Sequence, residues 1–103
     1  MPILTLFAPS TRQNKRYMIH LQNPKQTIHF GLKGGSTYID HKDKKKRGDY
    51  LARHKPREDW DNINAGSLSA RILWGNSTNL LANLKAFLKY FNISTNDESK
   101  ISL

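Results

Sequence analysis

The sequence predicts an α+β fold: a small antiparallel sheet of about three strands from the N-terminal third, packed with about three helices. Two observations carry this expectation. Short β-favouring runs, Ile3 to Phe7, Tyr17 to Leu21 and Thr27 to Phe30, crowd the start of the chain and are separated by turn-rich links. Beyond them the apolar spacing becomes helical, most strongly where Leu80, Leu81, Leu84, Phe87, Leu88 and Phe91 recur at intervals of three and four.

Each element follows from local chemistry. The link from Ala8 to Arg16 is polar and basic, and the link from Gln22 to Lys25 sets Asn23 before Pro24, a tight-turn signature that favours an antiparallel meander. Gly31, Gly34 and Gly35 then end the sheet pattern, and Ser36 to Ile39 leads into a helix expected from His41 to His54. Asp40 is the expected N-cap of that helix, with Asp43 as its capping-box partner. Gly48 weakens the helix by about 1 kcal/mol relative to alanine, and Pro56 cannot continue it. Pro56 suits the first position of a new turn, with Glu58 and Asp59 at its positive end and Trp60 as an apolar anchor. Asn62 to Gly66 reads as a linker, followed by a short helix capped by Ser67 and ending at Gly75, with Leu68, Ile72 and Leu73 on its apolar side. Thr78 or Asn79 caps the last helix, on which Asn83 and Lys85 are expected to face outward. The expected core comprises Leu6, Ile19, Ile28, Phe30, Leu51, Leu73, Leu84, Phe87 and Leu88. Residues 1–91 form one domain in this reading, and residues 92–103 a polar tail that would be disordered unless Ile101 and Leu103 dock.

Composition narrows function. The 103 residues suit a single domain with a modest core, and the absence of cysteine excludes a disulfide framework, a CxxC zinc site and a thiol nucleophile. No apolar run approaches the length of a transmembrane helix and no basic leader precedes the short opening apolar stretch, so a soluble or peripheral protein is expected. The net charge of +9 favours polyanionic partners. Five basic residues and no acid lie between Met1 and Ile39, and eight basic and three acidic residues between Asp40 and Arg57; three acids then fall between Glu58 and Asp61.

Catalytic patterns are weak by comparison. The histidines His20, His29, His41 and His54 form neither HxxxH nor HExxH, Ser67 and Ser69 lack a GxSxG elbow, and FGLKGG lacks the GK[ST] ending of a phosphate-cradling loop. Glu58, Asp59 and Asp61 are stabilised at a helix start without any chemistry. The expectation is a non-enzymatic protein with no metal and no cofactor.

What remains is the basic segment. On its helix Asp43, Arg47, Tyr50 and His54 share one side by spacing, Leu51 lies beside them, and Lys42, Lys45, Lys46, Asp49 and Arg53 fall largely elsewhere. Lys42, Lys45, Lys46, Arg47, Arg53, Lys55 and Arg57 are the candidate residues for binding a protein partner or a polyanion. Tyr38, Trp60 and Trp74 are candidate interface aromatics, of the kind that anchor protein contacts, with core packing as the alternative for both tryptophans.

The order of motifs also carries a resemblance. FAPS at Phe7 to Ser10, Lys15 to Tyr17, IHFG at Ile28 to Gly31, YIDHKD at Tyr38 to Asp43, YLARHKPREDW at Tyr50 to Trp60 and AGSLSARILW at Ala65 to Trp74, closed by the amphipathic helix, form an ordered series. Together they resemble a group of small, largely uncharacterised proteins of nucleocytoplasmic large DNA viruses. Gly75 departs from that pattern at the helix exit. The resemblance implies a large-DNA-virus product, a virion component; with the positive charge, the lack of catalytic geometry and the small size, the expectation is a minor capsid or structural protein that contacts other capsid proteins and is present in the virion and, during assembly, in the host cytoplasm. The resemblance implies no activity. Direct nucleic-acid binding by the Lys/Arg-rich helix is the alternative.

Overall fold

The meander forms as the β-favouring runs predict. In the computed structural model, which describes residues 1–103, β1 (Ile3–Pro9), β2 (Lys15–Gln22) and β3 (Gln26–Leu32) pair antiparallel in sequence order. The turn between β2 and β3 places Asn23 at φ 60°, a conformation that asparagine tolerates better than most residues. Helices follow, so the fold class is α+β.

Strand β1 departs from simple alternation. Its register with β2 shifts between Leu4 and Leu6, and this irregularity turns Leu4 and Phe7, three positions apart, into the core together. Thr5 is the residue at the shift, its hydroxyl donating to the His20 carbonyl at 3.0 Å. The core position expected for Leu6 is therefore taken by its neighbours, and Leu6 is only partly buried. Ile28 and Leu51 are likewise partly buried, whereas Ile19, Phe30, Leu73, Leu84, Phe87 and Leu88 are buried as expected.

The polar tail is not a separate appendage. Ile93 is buried, Ser94 bridges to Ile3, and β4 (Lys100–Ile101) adds to β1 in parallel, giving a mixed sheet ordered β3-β2-β1-β4. Backbone bonds hold it: Ser102 N–H donates to the Phe7 carbonyl at 2.8 Å, and the Ser99 hydroxyl donates to the Leu4 carbonyl. Ile101 and Leu103, the expected docking residues, stay exposed.

The helical half begins with α1 (Tyr38–His41), followed by α2 (Lys44–His54), which runs into a 3-10 turn (Lys55–Arg57). Asp40 does not cap the basic helix. It lies within α1, where its carboxylate accepts the Thr37 backbone N–H and hydroxyl, both at 2.8 Å. Asp43 is the N-cap of α2, accepting from Lys45 N–H at 2.9 Å and Lys46 N–H at 3.2 Å. Between the two helices Lys42 adopts a left-handed conformation, φ 59°.

Helix α3 (Ala65–Leu68) continues directly as a π-helical stretch (Ser69–Leu73). Its N-cap is Asn64 rather than Ser67. The Asn64 side chain accepts from Ser67 N–H at 2.8 Å, and Ser67 Oγ accepts from Asn64 N–H at 3.0 Å, so Ser67 is the reciprocal partner three residues on. Helix α4 (Leu80–Tyr90) is capped by Asn79, which accepts from Ala82 N–H at 2.9 Å. Asn83, expected to face outward, is 3% exposed. Its amide donates to the Ile72 carbonyl at 2.8 Å and the Ser77 carbonyl at 2.7 Å, and its oxygen accepts from Ser77 N–H at 3.0 Å. Both amide hydrogens and the oxygen thus have partners, which is what permits an amide in the core. None of these helices is long and apolar enough to cross a membrane.

Candidate contact site on the basic helix

The basic helix has one committed side and one open side. On the committed side, the Tyr50 ring stacks on Trp74 with centroids 4.1 Å apart and planes 5° from parallel, and on its other side stacks with His54 at 4.0 Å. Burial pushes the Tyr50 phenol up to about 12. His54 Nδ1 meets Glu58 Oε2 at 2.8 Å, and the other carboxylate oxygen accepts the Trp60 indole N–H at 2.8 Å. Burial pushes the Glu58 carboxyl up, but these two hydrogen bonds outweigh it and the group stays below the usual range. The acidic corner thus fastens the end of the basic helix, and His54 joins Tyr50 to it as the spacing indicated.

Arg47 also belongs to the committed side. Its Nε donates to the Trp74 carbonyl at 3.0 Å and the Gly75 carbonyl at 2.9 Å, Nη2 donates to Asn76 Oδ1 at 2.8 Å, and the guanidinium sits 5.6 Å from the Tyr38 ring centroid. It was expected among the residues that bind a partner or a polyanion, although its spacing already put it on the side of Tyr50 and His54. Its position on the same side as Tyr50 and His54 instead brings it to carbonyls left unpaired where the π-helical stretch ends.

A second fastening joins the sheet to α1. Arg16 on β2 makes two parallel bonds to Asp40, each 2.7 Å. This bidentate pair, helped by the Thr37 bonds, holds the Asp40 carboxyl well below the ordinary 3.8. With both ends of α2 anchored, its remaining face is presented on a rigid support.

That face is cationic. Lys42, Lys44, Lys45, Lys46, Arg53, Lys55 and Arg57 are all exposed. Lys45 reaches Asp49 at 3.2 Å, but both side chains are exposed by more than half, and such a pair contributes little. Arg53 Nε contacts only the Asp49 carbonyl of its own helix, at 3.4 Å. Lys42, Lys44, Lys46, Lys55, Arg53 and Arg57 have no carboxylate within ion-pair distance. Six of the seven cations expected at the site therefore lie on the open surface, with Lys44 added to them.

The expected aromatics divide differently. Tyr38 is 6% exposed and Trp74 9% exposed, both within the main core cluster, so they are structural residues and not surface anchors. Packing against Tyr50, His41 and Arg47 decides their placement. Trp60 alone remains partly exposed.

Three of the four histidines, His29, His41 and His54, make local hydrogen bonds through Nδ1, while His41 Nε2 is buried without a partner. His29 Nδ1 lies 2.7 Å from Ser10 Oγ; desolvation, followed by the positive charges of Arg12, His20 and Lys15, holds its pKa below the ordinary value. His41 Nδ1 accepts the Asp43 N–H at 2.9 Å, which puts the proton of the neutral ring on Nε2. No three His, Asp or Glu side chains converge as metal ligands.

Arg16, central to this arrangement, was not singled out from the sequence and carries no local mark. Asn83 was assigned outward, yet it lies three residues after Leu80 and four before Phe87 and so falls on the apolar stripe of its helix.

A family of unknown function (DUF5754) matches residues 6–54. The matched stretch comprises most of β1, the rest of the meander, α1 and α2 to its last residue, which are the elements that position the cationic face. No curated protein and no solved structure matches the chain.

Proposed function

We propose that this protein is a non-enzymatic structural component of a large DNA virus particle, a minor capsid protein that joins neighbouring capsid proteins through the cationic face of α2 and its following turn. The single observation that carries the proposal is the division of α2: one side is locked by Arg47, Tyr50 and His54, while the other carries unpaired cations. A rigid positive face on a chain of net charge +9 is suited to steering toward, and registering on, an acidic protein surface. The resemblance of the motif series from FAPS to AGSLSARILW to proteins of large DNA viruses supports a viral setting for that face, with the protein in the host cytoplasm during assembly and in the virion afterwards. Mass spectrometry of gradient-purified particles tests it. Recovery at a constant ratio to the major capsid protein is expected; absence from particles, with expression confined to infected cytoplasm, refutes it.

The burial of Tyr38 and Trp74 favours a second reading, direct nucleic-acid binding, because it removes two aromatic anchors and leaves charge as the dominant surface chemistry. Four neutralised phosphates would give a slope of log affinity against log salt near about −3.6 on duplex DNA, at about 0.9 per phosphate. Replacing Lys42, Lys45, Lys46 and Arg53 by glutamine would flatten that slope and weaken all sequences alike. Undetectable duplex binding at low salt refutes this second reading.

A further inference from the structure

Away from the cationic face, α2, the π-helical stretch and α4 enclose a cleft of about 340 Å³. Buried Ala70 and Phe87 line it together with partly buried Leu51 and Trp60, and Tyr90, 54% exposed, stands at its side. Arg47 and Arg71 also line it, and no acidic residue does.

Both arginines are held in place with donors to spare. Arg71 Nε donates to the Trp60 carbonyl at 2.9 Å, and its guanidinium lies 3.8 Å from the Tyr90 ring centroid, so its orientation is fixed from two directions. Asp61 Oδ1, which accepts the Tyr90 hydroxyl at 3.1 Å, lies within ion-pair distance of Arg71 Nη2 at 3.7 Å, but its side chain is 82% exposed and it makes no hydrogen bond to the guanidinium, so an incoming carboxylate competes with it only weakly. Arg47 uses Nε and Nη2 on protein acceptors and leaves Nη1 free of one. The π-helical turn, closed by Trp74 N–H donating to the Ser69 carbonyl at 3.0 Å, contributes both Ala70 and Arg71. Such turns recur at functional sites.

Apolar lining with preset guanidinium donors selects a particular ligand chemistry. An aromatic or large aliphatic side chain suits a space of this size, and a carboxylate beside it suits the guanidiniums, whose paired N–H groups match its two oxygens. A nucleobase is less well served. Its amino groups need acceptors, and the lining side chains offer as carbonyl acceptors only the Asn76 and Asn83 oxygens, each already accepting one bond, from Arg47 and Ser77.

We propose that this cleft receives an apolar side chain of an acidic protein segment, with Trp60 and Tyr90 beside the apolar group and Arg71 or Arg47 on a flanking carboxylate. This rests on the protein-contact function proposed above and adds to it the chemistry of the partner.

The probe is an acetylated seven-residue peptide with a central phenylalanine flanked by glutamates, titrated into the ¹⁵N-labelled full chain and followed by amide and indole shifts. Saturable shifts at the Trp60 indole and the Ala70, Ala86 and Tyr90 amides are expected. An alanine-centred peptide should bind at least about tenfold more weakly, because the apolar burial is lost. A glutamine-flanked peptide should also weaken, because the charge-assisted bonds are lost. Ala86 is exposed and lines the cleft, so Ala86→Glu can block it without disturbing the core; at least about tenfold weaker binding is expected, with smaller loss in Ala86→Gln. Equal binding of all three peptides, shifts confined to Lys44–Lys46, no shifts at millimolar peptide, or saturable shifts at these cleft residues from a thymidine oligonucleotide but not from the peptide overturns the proposal. Each of these outcomes leaves a capsid role for the cationic face standing. Absence of the protein from particles removes that role and leaves the cleft measurement intact.

Discussion

At Gly75 an alanine would place its Cβ 2.3 Å from the Arg71 carbonyl oxygen, 2.7 Å from Asn83 Cγ and 2.9 Å from Asn83 Nδ2. The first contact is with backbone and cannot be relieved by rotating a side chain. The other two are with a residue 3% exposed whose amide holds together the π-helical stretch, the following loop and α4. Overpacking of this kind costs about 1 to 3 kcal/mol, and displacing the amide from a buried partner adds about 1 to 3 kcal/mol for the polar group left unpaired. Gly75→Ala should therefore lose about 2 to 6 kcal/mol, a large share of the stability of a small domain. Urea unfolding followed by far-ultraviolet circular dichroism measures it. Gly48→Ala is the matched control: a Cβ there meets nothing within 4 Å on exposed α2, and the substitution should gain up to about 1 kcal/mol from helix propensity. A loss at Gly75 below about 0.5 kcal/mol, with an unchanged denaturant slope, would refute the close packing of this exit.

Phe87→Ala should destabilise by about 3 to 5 kcal/mol in the same assay, since the side chain is 1% exposed on the strongest apolar stripe; a loss under about 1 kcal/mol contradicts its core placement. The Arg16–Asp40 pair predicts a pH dependence. The folded carboxyl titrates below its ordinary 3.8, so its contribution is present above that value and is lost as pH falls through the window beneath it. Asp40→Asn should accordingly be less stable than the native chain near neutrality, and the gap should narrow as pH falls below about 4. A gap that stays constant across that range would show that the pair does not set the Asp40 titration.

The α+β class, the meander and the terminal amphipathic helix were legible because they rest on apolar periodicity, the most direct trace that burial leaves in a sequence. The misplacements have local physical causes. Leu6 was expected in the core as an apolar residue of its strand, but the irregularity at Thr5 gives that place to Leu4 and Phe7, and nothing in ILTLFAP marks that shift. Asp40 and Asp43 both have capping chemistry three residues apart, and only the left-handed turn at Lys42 decides which one starts the basic helix. The tail escaped because β4 pairs through backbone groups and keeps Ile101 and Leu103 exposed, so it leaves little hydrophobic signal. Asn83 was assigned by polarity when its spacing already placed it inward.

The cationic face was equally legible as a run of charge, since exposed lysines need no tertiary partner. Arg47 was the exception, and its role depends on carbonyls of Trp74 and Gly75 that become available only where a π-helical stretch ends. Tyr38 and Trp74 show the same limit. An aromatic residue serves a core or an interface with the same surface, and only the placement of Tyr50 and His41 against Trp74, and of Arg47 against Tyr38, separates the two.

Cross-linking mass spectrometry on intact purified particles tests the contact function of the basic helix most directly, because exposed Lys42, Lys44, Lys45, Lys46 and Lys55 are themselves the reactive groups. With a carbodiimide, which joins amines to carboxylates in contact, these lysines should form reproducible links to Asp or Glu residues of a capsid protein, and those links should disappear when the particles are dissociated in high salt before the reagent is added. Particles that contain the protein yet yield no capsid link from any of these lysines would contradict a structural contact through this face.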